Sequence, residues 1–314
     1  VHLGASMRLS LLCCLALPRM SALRAGSGMA GKIALVTGST DGIGQHTASK
    51  LAQAGATVLL HGRSPARLQA TRELILKQCP DAQLETYCYD LQSMSATKQL
   101  AAEVLERHAS LDVLINNAGV FQSTRILSPD ALESTFAVNV AATFILICKL
   151  FPLLRLTPHS RILNISSISQ SDLGKIDLKN LQLERGFSAY NSYSLSKLCV
   201  AALSHELALR VSPPDVLVQS CDPGTVNTKM LLAGWGRCGI DISSADHEFE
   251  LVTKEYSFGP DDSTSASAPP AASAHGQYFI NSRVSRCCPD VYDAKVREGL
   301  WEKLEDITGE KLPM

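Results

Sequence analysis

Several absences narrow what this chain can do. None of its 10 cysteines stands in a C-x-x-C pair, and the nearest histidines do not repeat a zinc-ligand spacing, so no metal site is predicted. Charge of one sign is lacking as well, since 29 Lys and Arg face 30 Asp and Glu, and nucleic acid is therefore not an expected partner. Aromatic residues make up only 5% of the chain, whereas aliphatic residues are abundant. This composition is typical of buried parallel strands covered by helices.

The cysteines themselves indicate a reducing compartment. Several of them, such as Cys148 and Cys199, stand within apolar runs, where a thiol acts as a small hydrophobic group. We therefore interpret them as reduced and structural.

Acidic residues are missing from the first 40 positions, which carry several basic ones. The apolar run Leu9 to Leu17 is too short to span a bilayer, which takes ~20 residues. It suits a signal-peptide core or part of an acid-poor transit peptide. Residues 1–29 are therefore predicted to be a targeting or disordered leader. Plastid, mitochondrial and secretory targeting all stay open, and the protein would be cytoplasmic if Met29 is the start.

The ordered part of the chain opens with a glycine-rich turn between a strand and a helix. Ile33 to Val36 is a short apolar run that predicts a buried strand, and Gln45 to Ala54 has the pattern of a helix. Between them the glycines of Thr37 to Gly44 permit a tight turn and let backbone N–H groups approach a pyrophosphate. This arrangement predicts a dinucleotide site whose contacts are Gly38, Ser39, Asp41, Gly42, Ile43 and Gly44.

The next predicted strand, Thr57 to Leu60, indicates which dinucleotide binds. An acidic residue that would hold the ribose 2′-hydroxyl of NAD is absent from its end. Arg63 stands there instead, with Arg67 one helical turn further, and a guanidinium suits a 2′-phosphate. The sequence therefore favours NADP(H) over NAD(H), the alternative being a solvated arginine at a helix start.

Strands and helices then alternate to the end of the chain. Predicted strands are Leu84 to Tyr89, Leu111 to Ile115, Arg161 to Ile165 and Val216 to Ser220, and predicted helices are Leu68 to Lys77, Met94 to His108 and Pro129 to Leu154. Such alternation predicts an α/β fold with right-handed crossovers: one domain over residues 30–314, with a doubly wound, Rossmann-type parallel sheet of about seven strands and helices on both faces. The polar motifs follow the strand ends, where such sheets bind ligands.

A Tyr and a Lys stand one helical turn apart in the segment that follows the fifth strand. Phe187 to about Arg210 contains no Gly or Pro and has apolar residues at helical spacing, so Tyr193 and Lys197 share one helix face. An ammonium beside a phenol favours the phenolate. We therefore expect Lys197 to lower the pKa of Tyr193 and to make it a general acid or base near working pH.

Taken together, these motifs resemble those of the short-chain dehydrogenases/reductases, in the single-domain branch marked by T-G-x-x-x-G-x-G and Y-x-x-x-K. The resemblance covers roughly residues 31–230 and, more weakly, 276–309. The matching residues occur in the family's order, and they are Thr37 to Gly44, Asp90, Asn116 to Gly119, Asn139, Ser167, Tyr193, Lys197, Pro223 and Gly224.

The resemblance implies a catalytic tetrad. Tyr193 would exchange a proton with the carbonyl oxygen, and Lys197 would hold the nicotinamide ribose. Ser167, rather than Ser166, would donate a hydrogen bond to that oxygen, and Asn139 would hold a water that passes protons toward Lys197. The further cofactor contacts it implies are Asp90, Leu91, Asn117, Ala118, Gly119, Pro223, Gly224, Val226 and Thr228, with Tyr193 and Lys197.

Within the family, several short motifs resemble those of retinol-dehydrogenase-like reductases. They are Asp177-Leu178-x-x-Leu181, Gly276-Gln277-Tyr278-Phe279 and Leu300-Trp301. This likeness implies a small carbonyl or alcohol substrate of apolar character, and residues 231–275 are expected to form a variable substrate loop. Two departures stand out: Asp222 replaces the His of many such relatives, and Ser257 to Ala274 is a low-complexity tract.

Three functions remain open at this point. The favoured one is an NADP(H)-dependent oxidoreductase that interconverts a carbonyl and an alcohol. The alternative from a different class is an NADP(H)-binding regulatory or scaffold protein with incidental turnover. A sugar-nucleotide epimerase is disfavoured, because relatives with that chemistry use T-G-x-x-G-x-x-G. Membrane association and the oligomeric state stay open, with a homo-oligomer among the alternatives.

Overall fold

A single sheet organises the chain in the computed structural model, which describes residues 28–213, 215–236, 238–258 and 269–313. Its strand order is β3-β2-β1-β4-β5-β6-β7-β8, and the pairs from β3 through β7 are parallel. Nearly all of the predicted leader, and most of the low-complexity tract, lie outside the described residues. The strands are β1 Ile33–Val36, β2 Thr57–Gly62, β3 Leu84–Cys88, β4 Val113–Asn116, β5 Ser160–Ile165, β6 Val216–Asp222, β7 Tyr278–Ile280 and β8 Arg283–Ser285.

Helices cover both faces of this sheet. One face packs against α3, α5, α6 and α9, and the other against α1, α2 and α8. The predicted fold class, a doubly wound α/β domain of Rossmann type, is thus confirmed. The helices are α1 Gly42–Gln53, α2 Pro65–Gln78, α3 Met94–Arg107, α4 Ser134–Phe136, α5 Ala142–Leu156, α6 Ala189–Arg210, α7 Lys229–Trp235, α8 His247–Thr253 and α9 Ala294–Thr308.

The described residues add one strand to the seven or so that the sequence predicts. β8 runs antiparallel to β7, and the register pairs Ile280 with Arg283. The two residues between them, Asn281 and Ser282, have φ of 49° and 57°. Positive φ at both central residues makes the tight turn whose twist suits a hairpin. The polar pair Asn281 and Ser282 was therefore the feature of the sequence that could have indicated a hairpin and its second strand.

The long helix predicted from Pro129 begins later. Residues 127 and 133 form an isolated antiparallel bridge, with Ala131 at φ 60° between them. Helix α4 then starts at Ser134, where the buried carboxylate of Glu133 accepts hydrogen bonds from the Thr135 and Phe136 backbone N–H groups. A side-chain cap, and not the proline, therefore sets the helix start.

From Ser134 to Leu156 the helical run, which includes a π-helical stretch at Ala137–Ala141, is long and apolar enough to cross a membrane. Within the protein, however, 89% of its most apolar window is buried. The Phe144 ring meets the Trp301 ring of α9 edge to face, with centroids 5.0 Å apart. In this structure the run is a core helix of the domain.

Candidate active site

A cavity of about 670 Å³ lies beyond the carboxyl ends of the strands, a volume typical of ligand sites. It extends from the glycine-rich turn, past the ends of β4 and β5, to Tyr193 on α6. The topology therefore brings together residues that lie far apart in the sequence. The predicted site residues that line it are Gly38, Asp41, Gly42, Ile43, Gly44, Arg63, Asp90, Leu91, Asn117, Ala118, Gly119, Ser167, Tyr193, Lys197, Pro223, Gly224, Val226 and Thr228.

Close packing of two loops shapes the turn end of the cavity. A Cβ atom at Gly44 would stand 2.2 Å from Asn117 Nδ2, and one at Gly38, where φ is 67°, would stand 2.9 Å from Ala118 Cα. The Asn117 Nδ2 group passes through this space and donates to the Thr37 carbonyl at 2.7 Å. These glycines therefore allow the loop after β4 to lock onto the turn after β1.

Ser39 does not line the cavity, although the sequence predicts it as a cofactor contact. Its side chain is fully buried, where its Oγ accepts from the His61 backbone N–H at 2.9 Å. The Ser39 hydroxyl is therefore hydrogen bonded to the backbone of strand β2. The neighbouring Thr40 lines the cavity instead.

His61 supports the turn, and sequence reasoning missed it. Its Nδ1 accepts from the Gly38 N–H at 3.2 Å, and its Nε2 lies 3.1 Å from the Tyr89 carbonyl. Burial lowers the pKa of His61 to about 4, so the imidazole is neutral and can accept at Nδ1. Only its place at the end of β2 could have indicated this role.

Two arginines lie at the cationic end of the cavity, and they differ in whether a carboxylate pairs with them. The Arg67 guanidinium pairs with Asp41, which also accepts from the Gly42 N–H and pairs with Lys229 at 2.9 Å. Both cations lie beside the Asp41 carboxylate, and its pKa falls even though partial burial opposes this. Arg63 is exposed and forms no hydrogen bond or ion pair with the described residues. Arg63 is thus the arginine available to a ligand.

The loop after β6 closes over the turn. Thr228 caps α7 by accepting from the Leu231 N–H, and its Cγ2 methyl would lie 3.1 Å from a Cβ at Gly42. Val226 is buried and pairs with Ile240 in a short bridge. The predicted contacts of this loop therefore face the predicted contacts of the glycine-rich turn.

Helix α6 carries the Tyr–Lys pair as predicted. Ser188 caps the helix by accepting from the Asn191 N–H at 3.0 Å, which fixes its start one turn before Tyr193. Tyr193 and Lys197 are both buried, and Lys197 Nζ lies 5.6 Å from the centroid of the Tyr193 ring. The ammonium also donates to the Ile165 carbonyl at 2.9 Å, at the end of β5.

The expected lowering of the Tyr193 pKa is wrong for the protein as described. Burial raises it to about 12, Asp222 adds to the rise, and the hydrogen bond with Ser167 only partly opposes it. The desolvation of the phenol outweighs the distant ammonium. Burial also lowers the pKa of Lys197 to about 8, although the negative charge of Glu248 opposes this by favouring the ammonium. At neutral pH the pair is therefore a neutral phenol beside a largely protonated amine.

The two serines after β5 have different tasks. Ser166 is buried and donates to the Lys197 carbonyl at 2.7 Å, which holds α6 against the sheet. Ser167 lines the cavity and forms a hydrogen bond with Tyr193. The geometry thus puts Ser167, and not Ser166, beside the phenol.

Asn139 lies behind the cavity and does not line it. Its Oδ1 accepts from the Val120 N–H at 2.8 Å, and its Nδ2 donates to the Val120 carbonyl and to Ser196 Oγ. A Cβ at Gly119 would stand 3.4 Å from Lys197 Nζ and 3.5 Å from Asn139 Oδ1. Asn139 therefore lies near the amine, and its role in a proton relay stays a prediction.

An aromatic cluster packs against Tyr193 next to the cavity, and the sequence did not indicate it. The Phe121 ring meets the Tyr190 and Tyr193 rings edge to face, with centroids 5.5 Å and 5.8 Å apart. The Tyr190 hydroxyl donates to the Gly234 carbonyl at 2.5 Å, so this cluster joins α6 to α7. Apolar side chains of Ile168, Met230 and Leu231 line the cavity itself.

Comparison with known proteins agrees with this geometry. The family model for short chain dehydrogenase matches residues 32–234. Human retinol dehydrogenase 13 is 30% identical over 287 residues, which cover 90% of this chain and 86% of that protein. Among solved structures, an uncharacterised Mycobacterium paratuberculosis protein has a TM-score of 0.72 at 24% identity, covering 91% of this chain and 96% of its own. A Shigella flexneri short chain dehydrogenase complexed with NADP has a TM-score of 0.61 at 23% identity, covering 80% and 97%.

Proposed function

The chain belongs to the short-chain dehydrogenase family, and we propose that within it the protein interconverts a carbonyl and an alcohol with NADP(H) on a small apolar substrate. It is an NAD(P)-dependent oxidoreductase by that membership. The observation that carries the finer proposal is the buried Tyr193 hydroxyl. It shares one cavity with Ser167, Lys197 and the glycine-rich turn.

The residues suit a dinucleotide along the whole cavity. Gly38 and Gly44 carry no side chain of their own where the loop after β4 packs on the turn, and Arg63 offers a guanidinium to a 2′-phosphate. The bound nicotinamide would supply or accept the hydride. A relative of similar fold, the Shigella flexneri enzyme, is complexed with NADP. These observations support NADP(H) as the cofactor.

Tyr193 is the proton donor in the direction of reduction. Its pKa of about 12 keeps the phenol protonated at neutral pH, so it can give a proton to a carbonyl oxygen as negative charge develops there. Ser167 is hydrogen bonded to the phenol and would donate to the same oxygen. Lys197, with a pKa of about 8, would be largely positive and would stabilise the phenolate that remains.

The substrate side of the cavity supports an apolar substrate. Phe121 packs on the Tyr193 ring, and the apolar side chains of Ile168, Met230 and Leu231 line the same cavity as Tyr193. Retinol dehydrogenase 13, the human relative, bears the name of an apolar alcohol. The class of substrate that we propose is an apolar aldehyde, ketone or the matching alcohol.

The Tyr193→Phe variant tests this function. It removes the donated proton and leaves the ring, so turnover should fall by roughly 1,000-fold or more while NADPH still binds within a few-fold of wild type. Turnover is followed by NADPH oxidation against a panel of apolar aldehydes, ketones and quinones, and binding by fluorescence or calorimetry. Tyr256→Phe is the matched control, because that buried hydroxyl accepts from Gln219 outside the cavity.

The alternative of a regulatory NADP(H)-binding protein gives a different result. In that case the biological activity of the protein would survive Tyr193→Phe, although oxidoreduction is lost. Wild-type turnover that persists in the variant would instead remove Tyr193 as the proton donor.

Arg63→Asp tests the proposed cofactor preference. Losing a charge-assisted contact and adding a negative charge should raise the NADPH dissociation constant roughly 10- to 100-fold, with NADH changed by less than about 3-fold. Titration of each nucleotide into the variant measures both values. Arg72→Asp, a charge reversal on α2 away from the cavity, is the control. Equal losses for both nucleotides would exclude Arg63 as the phosphate contact.

A further inference from the structure

Asp222 ends strand β6 and lies at the floor of the cavity. It is only 6% exposed, and its carboxylate accepts on both oxygens. The Ile168 N–H donates to Oδ2 at 2.5 Å, and the Gly224 N–H donates to Oδ1 at 2.7 Å. Among the described residues it forms no direct ion pair, and these two backbone N–H groups are the donors that its carboxylate accepts from.

The two donors belong to the two loops that matter for the reaction. Ile168 directly follows Ser167, at the end of β5, whereas Gly224 belongs to the turn after β6 that borders the cavity. The Asp222 side chain therefore connects the loop after β5, which carries Ser167, to the Pro223–Gly224 turn. A carboxylate fits this task, because an amide or an imidazole cannot accept from two separate N–H groups on two different atoms.

The carboxylate also lines the same cavity as Tyr193, and its negative charge adds to the rise in the Tyr193 pKa that burial causes. The other ionisable groups around this pair come from each packed element. They are Lys197 on α6, Glu248 on α8, Cys221 on β6 and Tyr278 on β7. The Lys197 ammonium donates to the Ile165 carbonyl, so it interacts with Asp222 through space and not in a direct ion pair.

We propose that Asp222 is a positioning residue for the proposed reaction: its two carboxylate oxygens hold the loop after β5, through the Ile168 N–H, against the Pro223–Gly224 turn, and it acts on Tyr193 from this place. This inference rests on the proposed function of Tyr193 and Ser167. It assigns a purpose to an acidic residue for which the sequence alone indicated none.

The test is Asp222→Asn in the full-length enzyme with NADP(H). The amide keeps the size and one acceptor but loses the charge and leaves one backbone N–H without an acceptor. We expect kcat to fall roughly 10- to 100-fold while KM changes by less than about 3-fold, because the defect is in orientation. The rising limb of the pH profile for alcohol oxidation should move to lower pH by on the order of one unit, since removing the negative charge eases ionisation of Tyr193.

A readout besides activity is the ionisation of Tyr193 itself. Tyrosinate absorbance followed from about pH 10 upward, with the Tyr193→Phe signal subtracted, should appear at lower pH in Asp222→Asn than in wild type. This measurement needs no turnover. It therefore tests Asp222 even if the proposed substrate class is wrong.

Two further variants separate the explanations. Asp177→Asn is the matched control, because Asp177 also accepts from a backbone N–H two residues on, at 2.9 Å from Lys179 N, but on the exposed surface. It should leave kcat and the pH profile unchanged. Asp222→Glu restores the charge, so it should restore the titration of Tyr193 even where kcat stays low.

Wild-type kcat together with a wild-type pH profile in Asp222→Asn would overturn the proposal. A lower kcat with an unshifted titration would overturn it as well, because that result leaves only a structural role. Thermal unfolding of each variant identifies any that fails to fold, and Asp222→Glu then provides the comparison.

Discussion

The two halves of the cavity are built in different ways. In the cofactor half, loops lock onto each other through buried contacts: Asn117 with Thr37, and His61 with Gly38. In the substrate half, short segments carry the apolar side chains of Ile168, Met230 and Leu231, and Ile168 is 56% exposed. The first half is thus fixed by hydrogen bonds to the sheet, and the second by a few local contacts.

The difference follows from what each half must hold. A pyrophosphate always presents the same anionic oxygens, so the turn that binds it needs glycines and backbone N–H donors in one arrangement. An apolar substrate is recognised mainly by its shape, which many combinations of side chains can match. The cofactor half therefore leaves a motif in the sequence, whereas the substrate half does not.

Helix α1 connects the two halves. Its N-terminal Asp41 pairs with Lys229 at the start of α7, and Thr47 donates to the buried Glu248 of α8 at 3.0 Å. Burial raises the pKa of Glu248 to about 7. A change at the glycine-rich turn is therefore expected to reach the substrate half through α1.

The largest effect in this comparison is expected from Gly44→Ala. A methyl group 2.2 Å from Asn117 Nδ2 and 2.6 Å from the Gly38 carbonyl cannot be accommodated without moving backbone. We expect NADPH binding to be lost and the free energy of unfolding to fall by about 1–3 kcal/mol, as overpacking does. Nucleotide titration and urea unfolding measure the two effects.

Gly28→Ala is the matched control for this change, because no atom of the described residues beyond its chain neighbours lies within 4 Å of the added methyl group. It should bind NADPH as wild type does. If Gly44→Ala also bound NADPH normally, the close approach of the two loops would not be required for the cofactor.

A small effect is expected from Lys229→Ala, which breaks the direct link between the halves. Lys229 is 79% exposed at its side chain, and Asp41 keeps Arg67 as a second cation. Exposed ion pairs contribute about 0–1 kcal/mol, so the free energy of unfolding should change by less than about 1 kcal/mol. Urea unfolding and steady-state kinetics are the measurements. A 10-fold loss of turnover would show instead that this ion pair holds the substrate half in place.

The sequence predicted the parts of the molecule whose chemistry allows little choice. Two motifs were predicted from local spacing: the glycine-rich turn at Thr37 to Gly44, and the pair Tyr193 and Lys197. In the structure, residues of both motifs line one cavity. The parallel sheet followed from alternating apolar runs. In each case, a local pattern was sufficient because backbone geometry determined it.

Features that depend on long-range contacts were not predictable in this way. The direction of the Ser39 side chain depends on β2, and the support of Gly38 by His61 joins residues 23 apart. The pKa of Tyr193 was expected to fall, because the sequence shows its charged neighbour but not the depth of its burial. Phe121 meets Tyr193 only because α6 returns to the loop after β4.

Transfer of deuterium from NADPH that carries deuterium at both nicotinamide C4 positions to an apolar aldehyde or ketone, followed by mass spectrometry of the alcohol, tests the central claim most directly. Wild-type protein should give singly labelled alcohol, and Tyr193→Phe with NADPH bound should give almost none. Labelled alcohol formed equally fast by the variant, or none formed by the wild type from any member of the panel, would contradict a carbonyl reduction completed by this phenol.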